Sequence, residues 1–299
     1  MGDKITYHQC PGCGNSTIQF VLIVKDVTVS NKFFEVWHCN ICSLRFTQAV
    51  PAANEIGAYY QSANYVSHTD TDEGLINRLY HFVRQFTLKT KLKLVQQSTG
   101  MQTGALLDVG AGTGYFFRTM KTAGWQVTAL EPDATARKLA FEKDGLQLQD
   151  ANDIYHLENN QFDAITLWHV LEHVHDLHSY FTKFYDLLKP NGRLIIAVPN
   201  YTSYDAAHYA DNWAAYDVPR HLYHFSPQSI NELAKLKGFV VKAYKPMWFD
   251  SFYVSMLSEQ YKNGKGNIVL SFFNGLLSNV KALCDNKKCS SIIYVLAKQ

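Results

Sequence analysis

The chain has 299 residues, 47% of them apolar and 18% charged, which gives it a core to bury and excludes a disordered tail. Its 28 Lys and Arg against 26 Asp and Glu leave a formal charge of +2, so it lacks the strong positive field that nucleic acids and anionic membranes attract. No run reaches the ~20 apolar residues of a membrane helix, and the nearest, 268–277, is broken by Ser271, Asn274 and Gly275.

The opening Met-Gly-Asp-Lys-Ile-Thr has no apolar stretch, so no signal peptide is expected. It fits the loose acylation pattern, but Asp3 and the lack of a following basic patch count against lipidation. A cytoplasmic protein is the expectation, with six cysteines as thiols or metal ligands. No membrane partner and no nucleic-acid partner is expected.

Residues 1–50 read as a small β module. Runs 18–24 and 32–37 are β-rich and are joined by the polar stretch 26–31. Cys10-x-x-Cys13 and Cys39-x-x-Cys42 stand at its two ends. Each pair offers two thiolates from one tight turn, and four thiolates make a closed tetrahedral zinc site. The spacing predicts a zinc ribbon on two hairpins, structural and not catalytic. Cys284 and Cys289 read as ordinary thiols. Residues 51–100 are a linker that begins loosely after Pro51 and becomes helical, with Leu75, Leu79, Phe82, Val83, Phe86, Leu92 and Val95 at helical spacing.

Residues 101–299 alternate strand and helix. Strands are predicted over 105–109, 127–130, 146–149, 162–167, 194–198, 240–244 and 292–296. Helices are predicted over 115–123, 134–143, 177–188 and 227–237. Asp133 and Ser226 stand as N-caps, Gly124, Gly145 and Gly238 follow helix ends, and Pro190-Asn191-Gly192 stops the third helix. Such alternation predicts an α/β fold: a Rossmann-like, mostly parallel sheet with helices on both faces.

Asp108-Val-Gly110-Ala-Gly112-Thr-Gly114 follows a strand and opens a helix. Glycines there let a ligand lie against the backbone at a helix N-terminus. A dinucleotide fold would need its third glycine at 115, which is Tyr115. Glu131 ends the second strand, where a carboxylate can take hydrogen bonds from ribose hydroxyls.

LLDVGAGTG, Glu131-Pro132-Asp133, FDAITLWHVLEHVHD and LLKPNGRLIIAVPN together resemble the class I S-adenosylmethionine-dependent methyltransferases over residues 100–245. The subgroup with an N-terminal zinc ribbon and a Tyr-Tyr segment, here Tyr59-Tyr60, is also similar. The resemblance implies a methyltransferase using S-adenosylmethionine on a small-molecule acceptor. It implies that Gly110, Gly112 and Gly114, after Asp108, face the methionine end of the cofactor. It also implies that Glu131 holds the ribose and that Asp150 and Ala151 lie beside the adenine.

The donor already carries the leaving group, so the protein mainly orients the acceptor. Candidates lie beyond the carboxyl ends of the strands. Trp168 is placed to wall the cofactor or to pack in the core. If residues 169–176 are helical, His169, Glu172, His173 and Asp176 share a face. His169-x-x-Glu172-His173 resembles the E-x-x-E-H of ubiquinone-type O-methyltransferases, where it is similar to a divalent-metal site. His169 in place of the first Glu speaks against magnesium, and Glu172 paired with His173 is the leading reading. The same letters spell a metalloprotease motif, which the surrounding order of elements opposes. A second cluster holds Trp213, Tyr216, Asp217, Arg220, His221, Tyr223 and His224. Arg220 suits an acceptor carboxylate or phosphate, or an ordinary pair with Asp217. A base is sought among His169, His221 and His224, with orientation alone as the equal alternative. An adaptor that binds the cofactor without turnover and an RNA or protein methyltransferase are the competing readings.

Overall fold

The computed structural model describes residues 4–60 and 75–299; residues 1–3, with the acylation pattern, and 61–74 of the loose segment lie outside the described residues. The N-terminal strands are Lys4–Ile5 (β1), Ile18–Lys25 (β2), Phe33–Cys39 (β3), Arg45–Thr47 (β4) and Val50–Pro51 (β5). β2, β3 and β4 form an antiparallel meander, and β1 pairs with β5. Along β3, buried Phe34 and Val36 alternate with exposed Phe33 and Glu35, the period of a half-buried strand. Asp26 turns the β2–β3 hairpin by accepting from the amides of Thr28, Val29 and Ser30.

The chain continues through Leu75–Thr99 (α1), Ala105–Val109 (β6), Tyr115–Thr122 (α2), Gln126–Leu130 (β7), Ala134–Asp144 (α3), Phe162–Trp168 (β8), Leu177–Leu187 (α4) and Leu188–Pro199 (β9). Then come Tyr204–Tyr209 (α5), Tyr223–His224 (β10), Pro227–Leu236 (α6), Phe239–Pro246 (β11), Asp250–Asn263 (α7), Ile268–Cys284 (α8) and Ser291–Lys298 (β12). The main sheet has the order β11-β12-β9-β8-β6-β7. β7, β6, β8 and β9 are parallel, whereas β12 runs antiparallel to both β9 and β11. One face is covered by α1 and α2, with Leu88, Val95, Phe116 and Met120 on Leu106 and Ile195. The other is covered by α4 and α6, with Phe181, Phe184, Ile230 and Leu233 on Ile165, Leu167 and Ile196. Each such side chain contributes about 1.5–3 kcal/mol by leaving water. The carboxyl ends of the parallel strands meet at one rim, and the site lies there.

Four expectations are corrected. Residues 146–149 form no ladder: Gln149 makes a single bridge to Leu130, and Asp150 then caps a 3-10 turn that leads the chain away. The helix before Pro190-Asn191-Gly192 ends at Leu187, but the strand expected over 194–198 starts at Leu188 and takes these three residues in as a bulge, with Phe162 opposite Leu188 and Ala164 opposite Arg193. Residues 169–176 are not a helix, because His169 takes φ 59° and only Leu171–His173 makes a 3-10 turn. The cysteine module is not two free hairpins: its four-stranded sheet takes its outer strand from β10, which pairs with β4.

Candidate active site

The glycine loop is fixed by its own geometry. Gly110, Gly112 and Gly114 take φ of 73°, 55° and 82°, the left-handed region where side chains are strained. A Cβ at Gly110 would stand 2.3 Å from Val170, and one at Gly114 would stand 2.7 Å from Leu146. At Gly112 a Cβ would meet no atom within 4 Å among the described residues, so this is the open side of the loop. The amides of Gly110 and Ala111 donate to the Leu130 carbonyl, tying the loop to the end of β7. There the buried Glu131 accepts from the amides of Gly112 (2.7 Å) and Asp133 (3.0 Å). Burial lifts its carboxyl above the ordinary range against those two amides. Asp150 is brought alongside, because the Glu131 amide donates to the Gln149 carbonyl and Arg137 reaches both the Glu131 carbonyl and Asp150. Ala151 opens the turn that Asp150 caps.

Asp108 lies beneath the loop, buried, accepting from Thr166 Oγ1 at 2.8 Å. Burial pushes its carboxyl up to about 7, against Thr166 and the nearby Lys91. Lys91, from α1, has its ammonium 4.3 Å over the Trp168 ring. Burial brings it down to about 8, with Asp108 and Asp250 opposing. Trp168 closes β8 edge-on to Phe116, and its buried indole N–H meets no acceptor among the described residues.

His169 is held between two carboxylates. Its Nε2 is 2.8 Å from Asp250, the first residue of α7, and its Nδ1 is 3.4 Å from Glu172. Burial opposes the charged ring, but Asp250 and Glu172 outweigh it and raise the imidazole to about 10. A ring with a carboxylate on each nitrogen is a cation at neutral pH, with no lone pair left for an acceptor's proton. The geometry therefore opposes His169 as a base. It also pairs Glu172 with His169 and not with His173.

His173 Nδ1 lies 3.0 Å from the Arg220 carbonyl and 3.0 Å from the Tyr60 hydroxyl, and His221 Nδ1 donates to the Ala215 carbonyl. A proton on each Nδ1 leaves each Nε2 as a lone pair. The two rings meet edge to face at 4.6 Å. Ligand atoms of Glu172, His173 and His221 all lie within 4.8 Å of one another. Both Glu172 oxygens are buried, with the 3.4 Å ion pair to His169 and no shorter hydrogen bond among the described residues. One carboxylate and two imidazoles can hold a cation, and they suit a transition ion better than magnesium.

The second cluster serves the docking of the cysteine module. Arg220 is buried and bridges Asp217 and Asp26, also donating to the Tyr59 carbonyl and Thr28. It is neither a surface pair nor open to an acceptor. His224 sits in β10 with Nε2 3.1 Å from Thr47 Oγ1, and burial first, then His221 and Arg45, keep it neutral. This places His224 inside the sheet of the module and not at the rim of β8. The four cysteines converge: Cys10 and Cys42 sulfurs are 3.5 Å apart, Cys13 and Cys39 3.6 Å, and all four lie within 4.8 Å. Tetrahedral zinc with bonds of ~2.3 Å needs edges of about 3.8 Å, so the donors fit.

Lys91 and Asp250 escaped the sequence reading. They come from α1 and α7, and nothing local in sequence marks either. Lys91 is one of several cations on α1, with Arg84, Lys89 and Lys93, and does not stand out among them.

Comparison with known proteins identifies the family. Residues 79–244 match the family described as methyltransferase domain. The ubiquinone biosynthesis O-methyltransferase of Rickettsia prowazekii is 24% identical over 194 residues, 58% of this chain and 76% of its own. That of Pasteurella multocida is 34% identical over 125 residues, 36% of this chain and 52% of its own. A solved 1,6-didemethyltoxoflavin-N1-methyltransferase from Burkholderia thailandensis covers 88% of this chain and 98% of its own at 15% identity, with a TM-score of 0.48. With more than half of its length matched, this chain belongs to the methyltransferase domain family and is an S-adenosylmethionine-dependent methyltransferase.

Proposed function

We propose that the enzyme methylates an oxygen of a small-molecule acceptor held at the carboxyl end of β8. The observation that carries this is the end of β8, where the Lys91 ammonium stands 4.3 Å over the Trp168 ring and His169 is fixed between Asp250 and Glu172. S-adenosylmethionine, when bound, supplies a methyl group on positively charged sulfur. Asp108, Gly110, Gly112, Gly114, Glu131, Asp150, Ala151 and Trp168 are the residues assigned to it. Glu131 keeps free lone pairs for ribose hydroxyls beside the two amides it already accepts. The open side of Gly112 and the Trp168 indole N–H, which meets no acceptor among the described residues, support a ligand at this rim.

Lys91 favours the ionised form of an acceptor hydroxyl brought near it, while His169, with both nitrogens met by carboxylates, ties the end of β8 to α7. Lys91, near 8, can take the hydroxyl's proton and pass it to solvent. The names of the ubiquinone O-methyltransferase relatives support oxygen as the nucleophile. Residues 1–50 are proposed as a zinc ribbon with Cys10, Cys13, Cys39 and Cys42 as ligands. Its four thiolates leave no open position for catalysis.

The test is incubation with methyl-labelled S-adenosylmethionine and a panel of hydroxylated small molecules, read by mass spectrometry. Methoxy products are expected. Methyl groups found only on nitrogen or carbon would overturn the oxygen assignment.

A further inference from the structure

α8 is built inside out. Its buried side is Ser271, Asn274, Gly275, Ser278, Asn279 and Ala282. Its exposed side carries Val269, Phe273, Leu276, Val280 and Leu283, spaced four and three residues apart along one face, with Val269 63% and Leu283 72% exposed. The polar side is spent on the protein: Ser278 donates to Asp205, Asn274 to Tyr209, and Asn279 to the Trp248 carbonyl. The Ser, Asn and Gly that break the apolar run in sequence are thus the residues turned inward. The apolar surface continues onto α7 through exposed Tyr253 and Met256, and then to Trp248 and Phe249, next to the Asp250 that pairs with His169.

Charge selects the occupant. From residue 260 to 290 the chain carries Lys262, Lys265, Lys281, Lys287 and Lys288, all exposed, against Asp285 as the one acid. Lys262 and Lys265 precede α8 and the other three lie at its C-terminal end. An apolar helical face with lysines at both ends matches a lipid surface with anionic headgroups. A second copy fits worse. Antiparallel pairing of two such helices centred on Leu276 would set Lys265 of one chain against Lys287 and Lys288 of the other. We propose that α8, with the adjoining surface of α7, docks the enzyme on an anionic membrane surface, lying in the interface. No described helix is long and apolar enough to cross the membrane. This goes beyond the methyl-transfer reading and does not depend on it.

The test is flotation of the full chain with phosphatidylcholine vesicles, with and without phosphatidylglycerol. Binding is expected to the anionic vesicles and to fall as salt is raised. Phe273→Ser with Leu276→Ser should lower partition at least about tenfold, while affinity for S-adenosylhomocysteine, which reports an intact fold, stays unchanged. Lys287→Gln with Lys288→Gln, two exposed side chains of which only Lys287 meets a ring, that of Tyr244, should lower it by about fivefold per lysine. No binding to either vesicle, or lysine-pair binding equal to wild type, would overturn the proposal. So would a dimer in light scattering that Leu276→Asp dissociates, because the face would then belong to a second copy.

Discussion

Glu131 ties Gly112 to the end of β7, and the same carboxylate is proposed to hold the ribose. Glu131→Ala is expected to weaken S-adenosylhomocysteine binding by ~1–3 kcal/mol in calorimetric titration, through lost acceptance of buried donors. Unchanged affinity would place the ribose elsewhere. Asp108 gives a pH signature. Its carboxyl stands near 7 in the folded chain against 3.8 in water. Between those values the folded chain holds a proton that the unfolded chain has lost, so stability falls as pH rises from about 4 to about 7. Asp108→Asn should flatten that part of the curve of denaturant midpoint against pH. An identical slope in the variant would contradict the shift. Arg220 makes the sharpest contrast between structural and functional readings. Removing it leaves Asp26, which is fully buried, and Asp217 without their cation. Arg220→Ala should therefore cost roughly 3–5 kcal/mol in chemical denaturation. A stable variant with only a raised KM would restore acceptor recognition.

Elements whose signals are local were legible in the sequence. Asp133 and Ser226 cap α3 and α6 as their side chains required, and Gly145 ends α3 in the left-handed region. The Asp108–Gly114 loop was readable because positive φ demands glycine. The helix expected over 169–176 was not realised. Its residues have the period of an amphipathic helix, but His169 takes φ 59°, a backbone conformation that a helix cannot contain. The module boundary drawn after residue 50 could not reveal that β10 joins its sheet, since a two-residue strand has no periodicity. That pairing yields a prediction. Stripping the proposed zinc with a chelator, or Cys39→Ser, should raise hydrogen exchange in β2, β3 and β4 and also in β10. Loss of protection confined to residues before 52 would show that the module stands alone.

Over the whole molecule, the site draws on elements far apart in sequence: β6, β7 and β8 supply the rim, α1 brings Lys91 and α7 brings Asp250. Sequence order identified the rim and left these last two unmarked. His169 changed from candidate base to candidate positioning residue once its two carboxylates were in view. His169→Gln and Asp250→Asn are each expected to lower kcat by ~10²-fold, as for a small misplacement of the reacting groups at the end of β8, with S-adenosylhomocysteine affinity nearly unchanged. The most direct measurement is transfer of labelled methyl from S-adenosylmethionine into a fractionated extract, comparing wild type with His169→Gln. Label on a hydroxyl of a small molecule, strongly reduced in the variant, is the expected result. Label recovered only in protein or RNA, or equal labelling by the variant, would contradict a small-molecule O-methyltransferase that works through His169.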